Sequence, residues 1–131
     1  MKIEFRDGLI FSSIRISFRG STKVIKNMVI DTGATESIIS PDAVEDIGIF
    51  AEPEDSVNSF YGLGGSLHNF FSKNVEEIKL GQLILDDIKL DFGVIDPKGD
   101  INGLLGLDLL MKIGAIINLK NLSLTFEACE Q

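Results

Sequence analysis

The most chemically suggestive residue of this 131-residue chain is an aspartate that follows directly on an apolar stretch. Asp31 comes after Val29 and Ile30, and Thr32 and Gly33 follow it. A carboxylate beside apolar packing is costly unless it is paired or used, and the neighbouring hydroxyl can hold a backbone or partner loop. Such a carboxylate is suited to general acid–base chemistry. The alternative is an Asx turn in which Asp31 only caps its loop, and these residues alone do not separate the two readings.

Two further segments stand out later in the chain. Residues 101–110 join an apolar pair to a glycine and continue into a stretch of helix formers. Residues 59–71 carry aromatic side chains on both sides of a glycine-rich centre at 62–65. Because glycine adopts a wide range of backbone angles, this pattern predicts a hairpin whose tip can move, that is, a flap.

Together, the apolar-apolar-Asp-Thr-Gly-Ala loop at Asp31, the glycine-rich hairpin and the later apolar-apolar-Gly segment resemble the retropepsin family of aspartic peptidases, in that family's order. The resemblance spans about residues 8–126. It implies a mainly β fold, a single-lobe acid-protease β-barrel with a flap hairpin and one or two short helices, in a single domain covering residues 1–131. Leu107 stands where the viral enzymes carry arginine, so the second segment is more similar to the retrotransposon, Ddi1-type and bacterial members.

The resemblance also implies a reaction and roles for individual residues. Asp31 would be the catalytic residue of a peptide hydrolase, and Thr32 and Gly33 would support the active-site loop. The substrate would be a polypeptide. Its expected contacts are Gly33, Ala34, Thr35, Gly64 and Gly65.

The implied mechanism needs two carboxylates that approach closely and share one proton, since like charges at short range do not both ionise. No second Asp-Thr-Gly or Asp-Ser-Gly follows in the sequence. A twofold dimer would bring Asp31 against its own copy. We therefore expect a homodimer that uses neither a metal ion nor a cofactor.

A different class of function remains open at this stage. A chain can keep a fold and lose its reaction, so the alternative is a catalytically silent module for dimerisation or peptide binding. His68 has no second histidine or cysteine nearby, and we expect it at a solvent-facing flap position. The lone cysteine, Cys129, is expected to be an incidental thiol.

Composition narrows the possible partners. The chain carries 20 acidic and 12 basic residues, for a net charge of -8, so nucleic acid would meet net repulsion. No apolar run approaches the ~20 residues of a membrane span, and the charged start does not form a signal-peptide core. We expect no nucleic-acid or membrane partner and a cytoplasmic location.

Alternating apolar and polar residues predict the strands that position Asp31. Residues 10–18 and 24–30 alternate around a turn-like segment at 19–23, which predicts a hairpin leading directly into Asp31. Residues 75–95 alternate around a turn at Gly81 and Gln82.

Two short helices and a closing strand pair are also predicted. Ser40 is expected to cap a helix with Pro41 at its first position and Gly48 at its end. A second helix is predicted from Leu107 to Ile113. Residues 115–118 and 122–126 are predicted to pair, and we expect 1–5 and 122–126 to contribute to the dimer interface.

Overall fold

The computed structural model of the chain describes residues 1–61, 67–96 and 98–127. The expected mainly β class is confirmed. The strands, numbered in chain order, are β1 Glu4–Arg6, β2 Leu9–Phe18, β3 Ser21–Ile30, β4 Ile38–Ile39, β5 Val57–Tyr61, β6 Leu67–Leu80, β7 Leu83–Gly93, β8 Gly103–Leu105, β9 Ala115–Asn118 and β10 Ser123–Phe126. The helical elements are the 3-10 turns Pro41–Ala43 and Glu45–Ile47 and the α-helix α1 Leu107–Lys112.

The strands close into a barrel. Hydrogen-bonded neighbours follow the order β2, β3, β8, β4, β7 and β6, and β6 pairs back onto β2. β1 and β5 extend this ring from β2 and β6, whereas β9 and β10 form a separate antiparallel pair. Closure gives each strand of the ring a neighbour on both sides, and β1 and β5 are the outer strands that remain.

The first hairpin is confirmed, with a shorter turn than expected. Arg19 and Gly20 both adopt positive φ, 48° and 87°, which suits a two-residue turn between twisted strands. β3 therefore begins at Ser21, and the Ser17 and Thr22 hydroxyls lie 3.0 Å apart across the strand pair. The turn predicted at Gly81 likewise joins β6 to β7.

Apolar side chains from all sides of the ring fill the barrel. Phe71 and Phe92 stack with their ring centroids 5.4 Å apart. Among the most completely buried side chains are Ile14, Ile16, Ile25, Ile39, Ile78, Leu90, Phe92 and Leu105. Because Ile30 and Leu105 are both buried at the ends of their strands, the loops that follow them start from rigid positions.

The short helix predicted at residues 40–48 is present in 3-10 form, without the predicted side-chain cap. The segment forms two 3-10 turns, and the Ser40 side chain makes no capping hydrogen bond. Val44, between the turns, is fully buried, so packing of this β-branched residue takes precedence over continuous helical hydrogen bonding. Gly48 ends the segment as predicted, with a φ of 87° that favours glycine.

The chain ends pair with each other. The Met1 ammonium donates to the Leu124 carbonyl at 2.8 Å, and the Leu124 N–H donates to the Met1 carbonyl at 2.8 Å. The Ile3 N–H donates to the Leu122 carbonyl at 3.0 Å.

The predicted second helix ends one residue early, at Lys112, and the predicted closing strand pair is present as β9 and β10.

The stem of the predicted flap is present. β5 pairs antiparallel with the start of β6, from Val57 opposite Phe71 to Tyr61 opposite Leu67. The tip at 62–66, with Gly64 and Gly65, lies outside the described residues. The His68 side chain and Cys129 also lie outside them.

Candidate active site

Asp31 is positioned by two neighbouring strands. β3 and β8 run parallel, with Ile30 opposite Leu105, and the Asp31 N–H donates to the Leu105 carbonyl at 2.9 Å. The half-buried aspartate therefore lies where the two central strands end together. The sequence segments at 29–31 and 103–106 meet at this point.

The loop after β3 folds back on Asp31. The Gly33 N–H donates to Asp31 Oδ1 at 2.9 Å, and the Ala34 N–H donates to the Asp31 carbonyl at 3.2 Å. The first bond is the Asx-type contact that is expected if Asp31 caps its own loop. Within the described residues, that bond is the carboxylate's one hydrogen bond and leaves Oδ2 without a donor. The Asx contact thus holds the carboxylate in place and leaves one oxygen available for chemistry.

The start of α1 closes the loop from the other side. The Leu107 N–H donates to the Ala34 carbonyl at 2.8 Å, and the Asp108 N–H donates to the Thr35 carbonyl at 3.1 Å. These bonds join segments that are far apart in sequence. The loop at Asp31 and the segment at 101–110 therefore form one unit.

Ser37 and Asp108 make the tightest contacts in this unit. The Ser37 hydroxyl donates to Asp108 Oδ1 at 2.6 Å, and the Ser37 N–H lies 3.0 Å from both Asp108 carboxylate oxygens. The Gly106 N–H donates to the Ser37 hydroxyl at 2.9 Å. Asp108 also accepts from the Leu109 N–H at 2.7 Å. These hydrogen bonds occupy the Asp108 carboxylate and link the first turn of α1 to Ser37. Asp108 therefore braces the loop.

Gly106 is required by close packing of the backbone. A Cβ at this position would lie 2.7 Å from the Glu36 carbonyl carbon and 2.8 Å from the Ala34 oxygen. Both are backbone atoms that cannot rotate away. Only glycine therefore lets β8 pass so close to the loop at Asp31.

A cleft of about 640 Å³ opens beside the loop. Three of the predicted substrate contacts, Gly33, Ala34 and Thr35, line it. Its other lining residues are Glu36, Ser37, Ile38, Ser59, Phe70, Asp91, Ile95 and Leu104. The cleft runs from the loop to the stem of the flap, because Ser59 belongs to β5 and Phe70 to β6.

Thr32 faces a different side of the loop. It lines a groove of about 370 Å³ that we call the helix groove, which is formed mainly by α1 and the start of β9. The other residues of the helix groove are Leu107, Leu110, Met111, Gly114, Ala115 and Ile117. The loop thus separates the cleft at Gly33 and Ala34 from the helix groove at Thr32.

A pair of acidic side chains lies in the cleft. Repulsion by Asp91 is the main cause that raises the pKa of Glu36. Burial and the charge of Asp108 act in the same direction, and Lys89 opposes them. The Ser72 hydroxyl donates to Asp91 Oδ1 at 2.7 Å.

Sequence reasoning did not identify Ser37, Asp108, Glu36 or Asp91. Asp108 stood in the segment chosen for its apolar-Gly pattern, and an acidic residue in the first turn of a helix was its only local signal. Ser37 and Asp91 had no local signal in the sequence, because their contacts depend on which strands become neighbours.

No cluster of three or more histidine, cysteine, aspartate and glutamate residues in the described part of the chain is arranged to hold a metal ion. Across residues 1–61, 67–96 and 98–127, no helix has the length and apolar character needed to span a membrane.

Comparison with known proteins agrees with this geometry. The family model described as aspartyl protease matches residues 14–109. A retropepsin-like aspartic protease from Rickettsia conorii has a similar structure, with a TM-score of 0.67 and 21% identity over 95% of each chain. No curated protein sequence matches the chain.

Two other solved structures share the fold. The EIAV protease complexed with the inhibitor HBY-793 aligns with a TM-score of 0.61 and 19% identity over 88% of this chain and 98% of its own. The retroviral protease-like domain of Ddi1 from Leishmania major aligns with a TM-score of 0.63 and 16% identity over 92% of this chain and 90% of its own.

The resemblance to the retropepsin family is confirmed by the family match, and the predicted single-lobe barrel is confirmed by the fold. The chain belongs to the aspartyl protease family and is an aspartic peptidase with a retropepsin-like fold.

Proposed function

We propose that the enzyme is a homodimeric endopeptidase in which two Asp31 carboxylates, one from each subunit, activate a water molecule. The observation that carries this proposal is the state of Asp31. One carboxylate oxygen accepts a hydrogen bond from Gly33 at 2.9 Å, and the other has no donor within the described residues. A carboxylate held by one oxygen keeps the second for proton transfer.

The dyad would work by sharing one proton. The charged carboxylate takes a proton from water as the water oxygen attacks the peptide carbonyl carbon, and the protonated carboxyl group gives its proton to the carbonyl oxygen. The tetrahedral diol collapses when the carboxyl group that took the water proton gives it to the amide nitrogen, the other carboxylate takes a proton from a diol hydroxyl, and the C–N bond breaks. The two carboxylates end with the single proton they began with.

The dimer supplies what one chain lacks. Asp31 is the chain's one Asp-Thr-Gly aspartate, so a second carboxylate must come from another copy. The helix groove and the strand β9 beside it form the surface that would meet the partner. Met111, Ile116 and Leu119 are 75%, 48% and 63% exposed there, although all three are apolar. Thr32, which lines the helix groove, would brace the two loops across the axis.

A polypeptide substrate would lie in the cleft as an extended strand. Gly33, Ala34 and Thr35 line the cleft and would contact its backbone from one side. Gly64 and Gly65 of the flap would close over it from the other side.

The whole of residues 1–131, with a core of about 8–126, would act as one domain. We further propose a cytoplasmic location, since a single cysteine leaves no internal disulfide to form.

Replacing Asp31 tests the reaction. We expect Asp31→Asn to abolish cleavage of an unfolded polypeptide while the protein stays folded and dimeric, because the amide keeps the shape and loses the proton chemistry. A statine-type inhibitor should block the wild-type protein. A wild-type dimer that binds peptide and never cleaves it would instead support a catalytically silent binding module.

Covalently tethered dimers test the shared dyad. A dimer with one wild-type and one Asp31→Asn subunit should be as inactive as the double variant, because each half-site is useless alone. The tethered wild-type dimer is the matched control. Equal rates for the mixed and wild-type tethered dimers would rule out the mechanism.

A further inference from the structure

Lys73 is a charged residue at a core-facing position of β6. Phe71 and Val75, its neighbours on the same face of the strand, are buried in the barrel core, and Leu90 lies opposite it on β7. The Lys73 side chain is only 4% exposed. An apolar side chain of similar length would fill this position without the cost of burying a charge. The lysine therefore does more than fill the core.

The Lys73 ammonium binds the turn that precedes β5. It lies 2.6 Å from Glu52 Oε1 and 2.7 Å from Asp55 Oδ2. The same Asp55 oxygen accepts a hydrogen bond from the Glu52 N–H at 2.7 Å, and the Asp55 N–H donates to the Glu52 carbonyl at 3.0 Å. One buried ammonium thus holds both ends of the turn at 52–55 against the barrel.

A second cation contacts this turn from the hairpin of β2 and β3. Arg19 Nη2 lies 3.0 Å from Glu52 Oε1. The Arg19 side chain is 61% exposed, and exposed ion pairs contribute little because water screens them. The buried contacts of Lys73 therefore fix the turn, and Arg19 adds to them.

The position of one wall of the cleft depends on this turn. Just after the turn, β5 begins, and among the described residues it pairs only with β6. The Ser72 N–H donates to the Ser56 carbonyl at 3.2 Å, so the pairing of the flap stem starts directly at the turn. Ser59 of β5 and Phe70 of β6 line the cleft. Because β5 has one strand neighbour, the turn is its second point of attachment to the barrel.

The loop that carries Asp31 is held by different contacts. Its hydrogen bonds run to β8 and α1, where Leu105, Leu107 and Asp108 take part. Within residues 1–61, 67–96 and 98–127, none of the hydrogen bonds of residues 31–37 reaches Lys73 or the turn at 52–55. A shift of the flap stem would therefore change the cleft and leave Asp31 in place.

We propose that Lys73 is a positioning residue for substrate binding, which fixes the flap stem as a wall of the cleft by holding the turn at 52–55. This inference rests on the proposed function, because it takes the cleft as the substrate site. Lys73 acts through the turn and does not touch the substrate. Its loss weakens the binding of peptide and leaves the reaction at Asp31 intact.

Steady-state kinetics of Lys73→Met test the proposal. We expect KM for a peptide substrate to rise about tenfold and kcat to stay within about twofold of the wild-type value, because binding shared by ground state and transition state is lost. Lys79→Met is the matched control, since Lys79 lies on the same strand and forms no ion pair among the described residues. It should leave both constants unchanged. An unchanged KM in Lys73→Met, or a kcat that falls about tenfold, would overturn the assignment.

A triple variant separates positioning from stability. Lys73→Met alone leaves the carboxylates of Glu52 and Asp55 without their buried counterion. Adding Glu52→Gln and Asp55→Asn removes these charges, so Tm should recover toward the wild-type value. KM, measured well below the lowest Tm, should stay raised because no ammonium holds the turn. If KM returned to the wild-type value together with Tm, Lys73 would serve stability alone and the inference would be wrong.

Peptide binding distinguishes this inference from the proposed catalysis. The cleavage-dead Asp31→Asn protein is titrated with a fluorescent peptide, with and without Lys73→Met. Weaker binding in the presence of Lys73→Met supports the positioning role even if the wild-type protein cleaves nothing, a result that would overturn the dyad alone. Equal binding by the two proteins would overturn the positioning role and leave the dyad standing.

Discussion

The carboxylates around the loop differ in how far their oxygens are already occupied. Asp108 accepts from Ser37 and Leu109 and braces the loop. Asp31 uses one oxygen for Gly33. Glu36 faces another carboxyl group and is repelled by it. At the scale of single residues, hydrogen bonds separate Asp108, which is structural, from Asp31, which is the proposed catalytic group.

Glu36 should lower stability when it is ionised. Its pKa is raised above 4.5, chiefly by Asp91, so the folded chain holds this proton more tightly than the unfolded chain. Stability is therefore lost as the pH rises from that ordinary value through the raised one. We expect Glu36→Gln to raise Tm near neutral pH and to leave it unchanged well below pH 4.5.

Thermal denaturation across this pH range measures the effect. Glu45→Gln is the matched control, because this exposed residue lies on a 3-10 turn away from the cleft. A lower Tm for Glu36→Gln at neutral pH would show that the glutamate stabilises the fold, contrary to this reading.

At the scale of elements, the approach of β8 to the loop depends on Gly106. An added methyl group would lie 2.7 Å from the Glu36 carbonyl carbon, so either β8 or the loop must move. We expect Gly106→Ala to lower the free energy of unfolding by about 2–3 kcal/mol and to remove activity, because Asp31 is displaced. Urea denaturation and a peptide cleavage assay measure the two effects.

Gly99→Ala is the control for this prediction. Gly99 has a φ of 79° and no atom within 4 Å of an added Cβ, so alanine there suffers backbone strain alone. That strain should cost about 1 kcal/mol and leave activity intact. Equal stability losses and equal activities for the two variants would contradict a specific steric role of Gly106.

The base of the flap stem is held by an ion-pair cluster. Lys73 of β6 is only 4% exposed, and its ammonium lies 2.6 Å from Glu52 Oε1 and 2.7 Å from Asp55 Oδ2. Burial disfavours the charge of Lys73, but the hydrogen bonds that Lys73 donates to Asp55 and Glu52 outweigh burial and raise its pKa. Hydrogen bonds from Lys73 are the main cause that lowers the pKa of both Glu52 and Asp55.

This cluster makes stability depend on pH in a definite direction. Carboxylates with lowered pKa values stabilise the fold above their ordinary pKa range, and this contribution is lost as the pH falls through the lowered values. We expect Lys73→Met to lower the free energy of unfolding at neutral pH, with a smaller loss in strong acid. Lys79→Met on the same strand is the control, since Lys79 forms no ion pair among the described residues.

Chemical denaturation at several pH values compares Lys73→Met, Lys79→Met and the wild type. If the difference in the free energy of unfolding between Lys73→Met and the wild type grew in acid, the ion-pair cluster would not be the source of the pH dependence.

At the scale of the whole molecule, the proposed dimer makes activity depend on concentration. The monomer holds half a site, so activity should fall more steeply than protein concentration on dilution. Leu119→Asp or Met111→Lys should raise the dimer dissociation constant at least about tenfold, because either variant places a charge on the proposed apolar interface. Sedimentation velocity, run beside the cleavage assay, measures both consequences.

Ile84→Lys provides the matched control on another face. Ile84 is an apolar residue of β7 that is 46% exposed, and a charge there should leave the dimer intact. A fully active monomer at assay concentration would contradict the homodimer and the shared dyad together.

Pairing of the chain ends changes how they can contribute to the interface. The sequence predicts that 1–5 and 122–126 contribute, and the structure finds Met1 bonded to Leu124 of β10 and Ile3 bonded to Leu122, which precedes β10 in the same chain. These segments therefore already have strand partners. Within the described residues, β9 pairs only with β10, so its other edge is the one that can meet a second copy.

The sequence by itself determined the local features of this protein. Alternation predicted β2, β3, β6 and β7 because side chains on a strand point to opposite faces in turn, and that period is visible in neighbouring residues. Asp31 was identifiable for a similar reason, since an apolar strand, a carboxylate and a glycine turn are adjacent in the chain. The later apolar-Gly segment then singled out one family.

Only the tertiary structure decided which of these segments meet. The bond from Ser37 to Asp108 and the pairing of Glu36 with Asp91 exist because barrel closure makes β4, β7 and β8 neighbours. The segment at 40–48 forms two 3-10 turns, with Val44 between them buried in the core. Contacts between distant residues depend on the whole set of strand neighbours, and no local period or turn signal encodes that set.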